Sequence, residues 1–194
     1  LLALGAAEAI RPRMTGDGRR FRWPTNFGMT AINILALGLL PTSLIGIAVW
    51  AERNGLGLLN WMGAGLMAAI FITLLFRALL SYGTHVLMHK VPLLWRIHRV
   101  HHTDTLLDVS TTVRFYPLEF LLNLGLAAPF VILMGPVPWV LMLYEILDAG
   151  GNLVTHANVG IANRLDRVIR PLFVTPNMHL IHHASCQRET DSNY

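Results

Sequence analysis

Residues 61–83 read WMGAGLMAAIFITLLFRALLSYG, an apolar run of 23 residues broken by one charge, Arg77. A helix needs about 20 apolar residues to cross the hydrocarbon core of a bilayer, so this stretch predicts a transmembrane helix. Charges are also absent between Arg22 and Glu52 and between Glu119 and Glu145. Spans are therefore expected near residues 27–50, 61–83, 117–134 and 139–154, forming an all-α helical bundle in a membrane. Gly135, Pro136, Val137 and Pro138 cannot continue a helix and predict a tight turn between the last two spans. Pro41 and Pro129 fall inside expected spans, where a kink is tolerated once neighbouring helices satisfy the freed carbonyl. Residues 1–194 read as a single membrane-embedded domain; beginning at Leu1 and stopping at Tyr194, it is expected to be cut from a longer chain at both ends.

Composition agrees with a membrane protein. Of 194 residues, 54% are hydrophobic and 13% charged, where soluble domains carry about 25% charged residues. One cysteine excludes a disulfide framework or an iron–sulfur site built by this chain alone. The net charge of +4 is not a nucleic-acid signal, because the arginines and lysines flank the apolar runs instead of forming one aromatic-interleaved patch. No nucleic-acid partner is expected. Basic residues gather before residue 27, between 85 and 116, and after 157, whereas the two opposite connections hold only Arg53. The cytoplasmic side keeps the excess of Lys and Arg, so four spans would put all three basic segments there.

All nine histidines fall in those segments or at a span end facing them: His85 and His89, then His98-x-x-His101-His102, a lone His156, and His179-x-x-His182-His183. Residues three and four apart share a helix face, so His85 and His89 present two imidazoles side by side and each HxxHH presents a group able to converge on one point. Eight clustered imidazoles exceed what one tetrahedral zinc takes and suit two metal ions. Imidazole accepts Fe, Zn, Cu or Ni. The bland alternatives are a satisfied polar His156 and zinc held only for structure. Glu145, Asp148, Asn152 and His156 make one polar stripe on the fourth span. The stripe either orients metal-bound imidazoles, with His156 as a ninth ligand, or pairs Glu145 or Asp148 with Arg77. Cys186 reads as an idle thiol, and Trp61, Trp95 and Trp139 as interfacial belt residues.

The chain resembles the sterol desaturase / fatty acid hydroxylase superfamily of membrane di-iron oxygenases. The resemblance rests on RWPTN (22–26), THVLMHKVPLLWRIHRVHHTD (84–104), RFYPLE (114–119), THANVG (155–160), VTPNMHLIHHA (174–184) and ETDSNY (189–194). It implies metal ligands at His85, His89, His98, His101, His102, His179, His182 and His183, with His156 at a further family histidine. Val86 and Ala78 stand where many members have Arg and Asp, and Tyr116 where many bacterial relatives have His.

The expected function is an O2-dependent di-iron oxidoreductase that hydroxylates or desaturates a membrane lipid, whether sterol, fatty acyl or related, with zinc able to replace iron in a purified sample. Unactivated C–H bonds offer no handle to acids or bases, so the cofactor carries the hard step. No GxGxxG fingerprint follows a strand pattern, so electrons are expected from a separate reductase or small electron carrier. Asp104, Asp108, Glu189, Asp191 and Asn193 read as solvated loop residues or, alternatively, as acceptors of ligand N–H groups, and Arg114, Tyr116 and Glu119 open the third span, where they read as interface anchors unless Arg114 and Glu119 pair near the site. The rivals are a catalytically degenerate metal-binding relative, a haem protein with axial histidines on facing spans, and a metal transporter with ligands near the bilayer midplane.

Overall fold

The computed structural model describes residues 1–16, 18–104 and 106–194, and these contain helices and no strand. In order come α1 (Leu2–Ile10), α2 (Arg19–Gly38), α3 (Leu44–Arg53), α4 (Leu58–Trp61), α5 (Leu66–Lys90) and α6 (Pro92–His102). A 3-10 turn (Thr111–Val113) leads into α7 (Pro117–Met134) and α8 (Pro138–His156), followed by the short α9 (Asn163–Ile169), α10 (Pro176–His182) and α11 (Gln187–Thr190). Pro92, Pro117, Pro138 and Pro176 each open a helix. Their fixed φ suits the first turn, where the missing N–H has no intrahelical partner to lose.

α5 and α7 are long and apolar enough to cross a membrane. α7 coincides with the expected span 117–134, whereas α5 begins later than expected, because Trp61 belongs to α4 and Gly63 turns the chain at φ 58. The expected span over 27–50 is not one helix. α2 stops at Gly38 and α3 starts at Leu44. Pro41 lacks an N–H and disfavours a helical Leu40, and Ser43 caps α3 by accepting the Gly46 N–H. Pro129, in contrast, lies within α7 without ending it. The turn after α7 is as expected: Gly135 takes a left-handed conformation (φ 61) that caps the helix. Its backbone packs so closely on Gly57 that a Cβ on either would overlap the other.

Polarity runs opposite to that of a soluble globule. Large apolar side chains such as Ile34, Phe71 and Leu147 point outward, each more than half exposed, while Asn26, Asn33, Thr73, Arg77 and Glu119 are buried. The apolar core is small, built on Ala48, Val131 and Leu141 from α3, α7 and α8. In lipid an apolar exterior is the favourable one, and the polar groups that would be costly there face inward.

The inward polar face of α2 fastens the segment after α6. Arg22 pairs with both Asp104 and Asp108, Asn26 and Thr111 donate to Asp104, and Trp23 Nε1 donates to Asp108. Glu8 from α1 joins by accepting the backbone N–H groups of Val109 and Asn158. Among the described residues, the side-chain hydrogen bonds and ion pairs of Asp104 and Asp108 go to α2 residues and to Ser110 and Thr111 and not to a histidine, so the two are neither solvated nor acceptors of ligand N–H groups. Asp104→Ala takes one of two carboxylates from Arg22, which keeps Asp108 at 2.9 Å, and leaves the buried Thr111 hydroxyl without its acceptor, a loss of about 1–3 kcal/mol. A fall in thermal unfolding midpoint of roughly 5 °C is expected.

Candidate metal centre

α5 and α6 are joined by the single residue Val91, held extended (φ −95, ψ 116) by the proline that follows. The chain folds back there and sets His98 and His102 against His85 and His89. α8 delivers His156 at its C-terminal end, and α10, capped by the Thr175 hydroxyl, delivers His179 and His182 with His183 just beyond. All nine histidines meet in two nests. His85, His89, His98, His102 and His182 form one, and His101, His156, His179 and His183 the other; within each, one ring nitrogen per residue lies within 4.8 Å of the rest. The nests adjoin, with the His102 and His183 rings stacked at 4.3 Å.

Each HxxHH string was expected to converge on one point, and the structure instead divides both. His98 and His102, four apart on one helix face, serve the first nest, and His101, rotated away, serves the second. On α10 the order is mirrored: His182 joins the first nest while His179 and His183 join the second.

Fixed acceptors decide which ring nitrogen carries the proton. The Nδ1 atoms of His98, His101, His156 and His182 lie 2.8, 3.3, 2.7 and 2.7 Å from Glu119 Oε1 and the carbonyls of Arg114, Asn152 and Ser192. Each must donate, which leaves Nε2 as a bare lone pair. Yet His156 Nε2 lies 3.0 Å from His101 Nε2 and 2.9 Å from His179 Nε2, and His98 Nε2 lies 3.2 Å from His102 Nε2. Lone pairs of His101 and His156 that face each other at this distance repel unless a cation lies between them. Further buried ring nitrogens have no partner: Nε2 of His85 and His182, and both nitrogens of His89 and of His183. An unsatisfied buried polar atom costs about 1–3 kcal/mol. A metal ion in each nest would take one lone pair from every ring, so the donor set fits the implied ions, while the second nitrogens of His89 and His183 would keep no hydrogen-bond partner among the described residues.

Burial, with the positive charge of neighbouring imidazoles added, pushes His101, His102, His179 and His183 well below the ordinary histidine value. His182 is lowered by burial to about 4, partly offset by the Ser192 carbonyl. These rings are neutral at pH 7, the form that ligates metal.

Several surrounding residues differ from expectation. Glu119 is not an interface anchor: it is 2% exposed in the first turn of α7, where the helix dipole favours a carboxylate, and it accepts from His98. Arg114 is no anchor either. Its carbonyl orients His101 while its guanidinium donates to Asn26 and the Val100 carbonyl. Phe115 stacks on His101 at 4.9 Å and 5°, and Tyr194 lies 5.0 Å from His89; both stand in strings that carry the resemblance, but their spacing gives neither a role. Trp95, expected as a belt residue, packs 5.0 Å from His89. Of the remaining candidate acceptors, Asp191 approaches His89 Nδ1 at 3.7 Å while pairing with Lys90, Glu189 is exposed, and Asn193 contacts Ser192. The stripe on α8 divides: Glu145 pairs with Arg77, Asp148 bonds Tyr144 and Asn152, and only the Asn152 carbonyl and His156 join the centre. Cys186 is exposed and apart from it.

A cavity of about 780 Å³ opens onto the nests. His85, His98, His101, His156 and His179 line one part of its wall, and Leu37, Leu40, Leu44 and Ile45 from α2, α3 and their connection line another.

A family model described as fatty acid hydroxylase matches residues 70–194. Ornithine lipid hydroxylase OlsE of Rhizobium tropici is 34% identical over 115 residues, which make up 58% of this chain and 33% of that protein. The chain thus spans about a third of the length of this curated relative. No solved structure matches.

Proposed function

Because the chain belongs to the fatty acid hydroxylase family, we propose that it is the catalytic domain of an O2-dependent membrane lipid hydroxylase with two iron ions held by the histidine nests. His85, His89, His98, His102 and His182 would hold one ion, and His101, His156, His179 and His183 the other. The observation that carries this reading is the set of buried ring nitrogens aimed at one another beside a cavity with an apolar wall. Zinc would fit the same all-nitrogen donors as a substitute. What an iron pair supplies there is the chemistry of O2 with an unactivated C–H bond.

The chain's own residues bind, orient and exclude water. Glu119 and the carbonyls of Arg114, Asn152 and Ser192 fix four imidazole tautomers before any metal arrives. Leu37, Leu40, Leu44 and Ile45 offer the lipid an apolar entry from the bilayer. Inserting one oxygen atom and reducing the other to water needs two electrons and two protons from outside, so the enzyme works with a separate reductase or small electron carrier. α2 with α3, α5, α7 and α8 would make four passes. His89 and His156 lie in the last turns of α5 and α8, and Glu119 in the first turn of α7, at one end of the bundle. The distribution of basic residues supports a cytoplasmic position for that end.

The test is a comparison of lipid extracts from cells with and without the full-length protein. A lipid gaining one oxygen, absent with a His101→Ala variant, is the expected result. A lipid losing two hydrogens, or unchanged extracts from cells holding metal-loaded protein, would overturn hydroxylation.

A further inference from the structure

α9 and the turn after it belong to no span and to neither nest, yet they carry a regular pattern. The helical winding continues past Ile169, because the N–H groups of Leu172 and Phe173 donate to the Ile169 carbonyl. Leu165, Val168 and Leu172 therefore stand at i, i+3 and i+7 and share one face. Arg164, Arg167 and Arg170 form a second face beside it, and Asp166 lies on a third. The third face ties the segment to the fold: Asp166 is buried and accepts from the Thr175 hydroxyl (2.6 Å) and Asn177 Nδ2 (3.0 Å).

The other two faces are open. Val168, Leu172 and Phe173 are 75%, 82% and 68% exposed, and with Leu165 they crowd four large apolar side chains into residues 165–173. Among the described residues the arginines find little to hold them: Arg167 donates to the Asn163 carbonyl of its own helix, Arg170 lies 4.0 Å from Asp166, and Arg164 has no ion pair. Such an apolar patch is costly in water. Because the apolar and basic faces adjoin, a flat boundary between oil and water divides them, which is the pattern of a helix lying in a membrane surface with arginines at the phosphates. The position agrees. Only residues 157–162 separate α9 from the end of α8, and Thr175, bonded to Asp166, caps α10 at the same end of the bundle. That end is where the spanning helices leave the bilayer.

We propose that α9 and its following turn lie in the plane of the bilayer surface, with Leu165, Val168, Leu172 and Phe173 in the acyl layer and Arg164, Arg167 and Arg170 on anionic headgroups. Through Asp166 and Thr175 the contact sets the depth of α10, and so of His179 and His182, beneath the leaflet. The proposal goes beyond the hydroxylase reading and requires neither metal nor turnover.

Nitroxide labels on the full-length protein in nanodiscs containing phosphatidylglycerol test it. With Cys186→Ser and any other cysteine replaced, Val168→Cys, Leu172→Cys and Arg167→Cys each carry one label. Electron paramagnetic resonance then compares collision with O2, which partitions into lipid, and with a water-soluble nickel chelate. The labels at positions 168 and 172 are expected to meet O2 more than nickel, and the label at 167 the reverse. Adding Arg164→Gln and Arg170→Gln should raise nickel access at position 168 several-fold. A thermal unfolding midpoint near that of the parent certifies each variant as folded. Nickel access at 168 and 172 equal to that at 167 would put the segment in water, and shielding of both positions from both reagents would mean that protein covers the stripe. Either result overturns the membrane contact, and unchanged nickel access after the arginine exchange overturns the role of the headgroups. None of these outcomes bears on oxygen insertion, which the lipid extracts read separately.

Discussion

His101→Ala is expected to lower metal content from two ions per chain to about one and to abolish lipid hydroxylation. The second nest has only four imidazoles, and the carbonyl of Arg114 holds His101 with its lone pair toward His156. Removing that ring leaves three donors and an exchangeable ion, whereas the first nest keeps five. A bound metal contributes several kcal/mol to stabilising developing charge, so a fall on the order of a thousandfold in turnover is expected. His85→Ala is the informative companion: it removes one of five rings and should retain more metal than His101→Ala. Metal analysis by mass spectrometry alongside lipid turnover checks both. Two ions and near-normal turnover after His101→Ala would contradict the assignment.

Glu119→Gln is the second large effect. The carboxylate accepts from His98 Nδ1 at 2.8 Å in a site 2% exposed, and its charge raises the basicity of the ring's other nitrogen. Losing such an acceptor typically costs 10–100-fold in metal affinity or activity. Glutamine can still accept the hydrogen bond through its carbonyl, so the ring orientation survives and the charge alone is lost. Metal affinity by competition with a chelator should therefore fall while the unfolding midpoint of the metal-free protein changes little. An interface anchor would show neither effect on metal.

The histidine pattern was legible because three- and four-residue spacings on a helix have one geometric meaning. The division of each HxxHH between two nests was not, since it depends on how α5 and α8 approach α6 and α10 rather than on spacing within a string. Glu119 was hidden for a similar reason: a carboxylate just inside an apolar run looks the same whether it meets water or His98, 21 residues away. Prolines mislead in both directions. Pro41 ends a helix that has Ser43 ready to cap the next, while Pro129 sits in α7, which continues through it. Asp104 and Asp108 stand beside a histidine string yet face α2, because Arg22 and Trp23 reach them first. Arg77 with Glu145 was one of two readings of the α8 stripe, and the contact at 2.6 Å favours it while the Asn152 carbonyl keeps the other partly true.

The most direct measurement is iron K-edge X-ray absorption on full-length protein purified without oxygen, with iron counted per chain. Two irons per chain, each surrounded mainly by imidazole nitrogens, is the expected result. A single ion, a haem spectrum, or a shell dominated by carboxylate or sulfur would contradict the account of two imidazole nests built by α5, α6, α8 and α10.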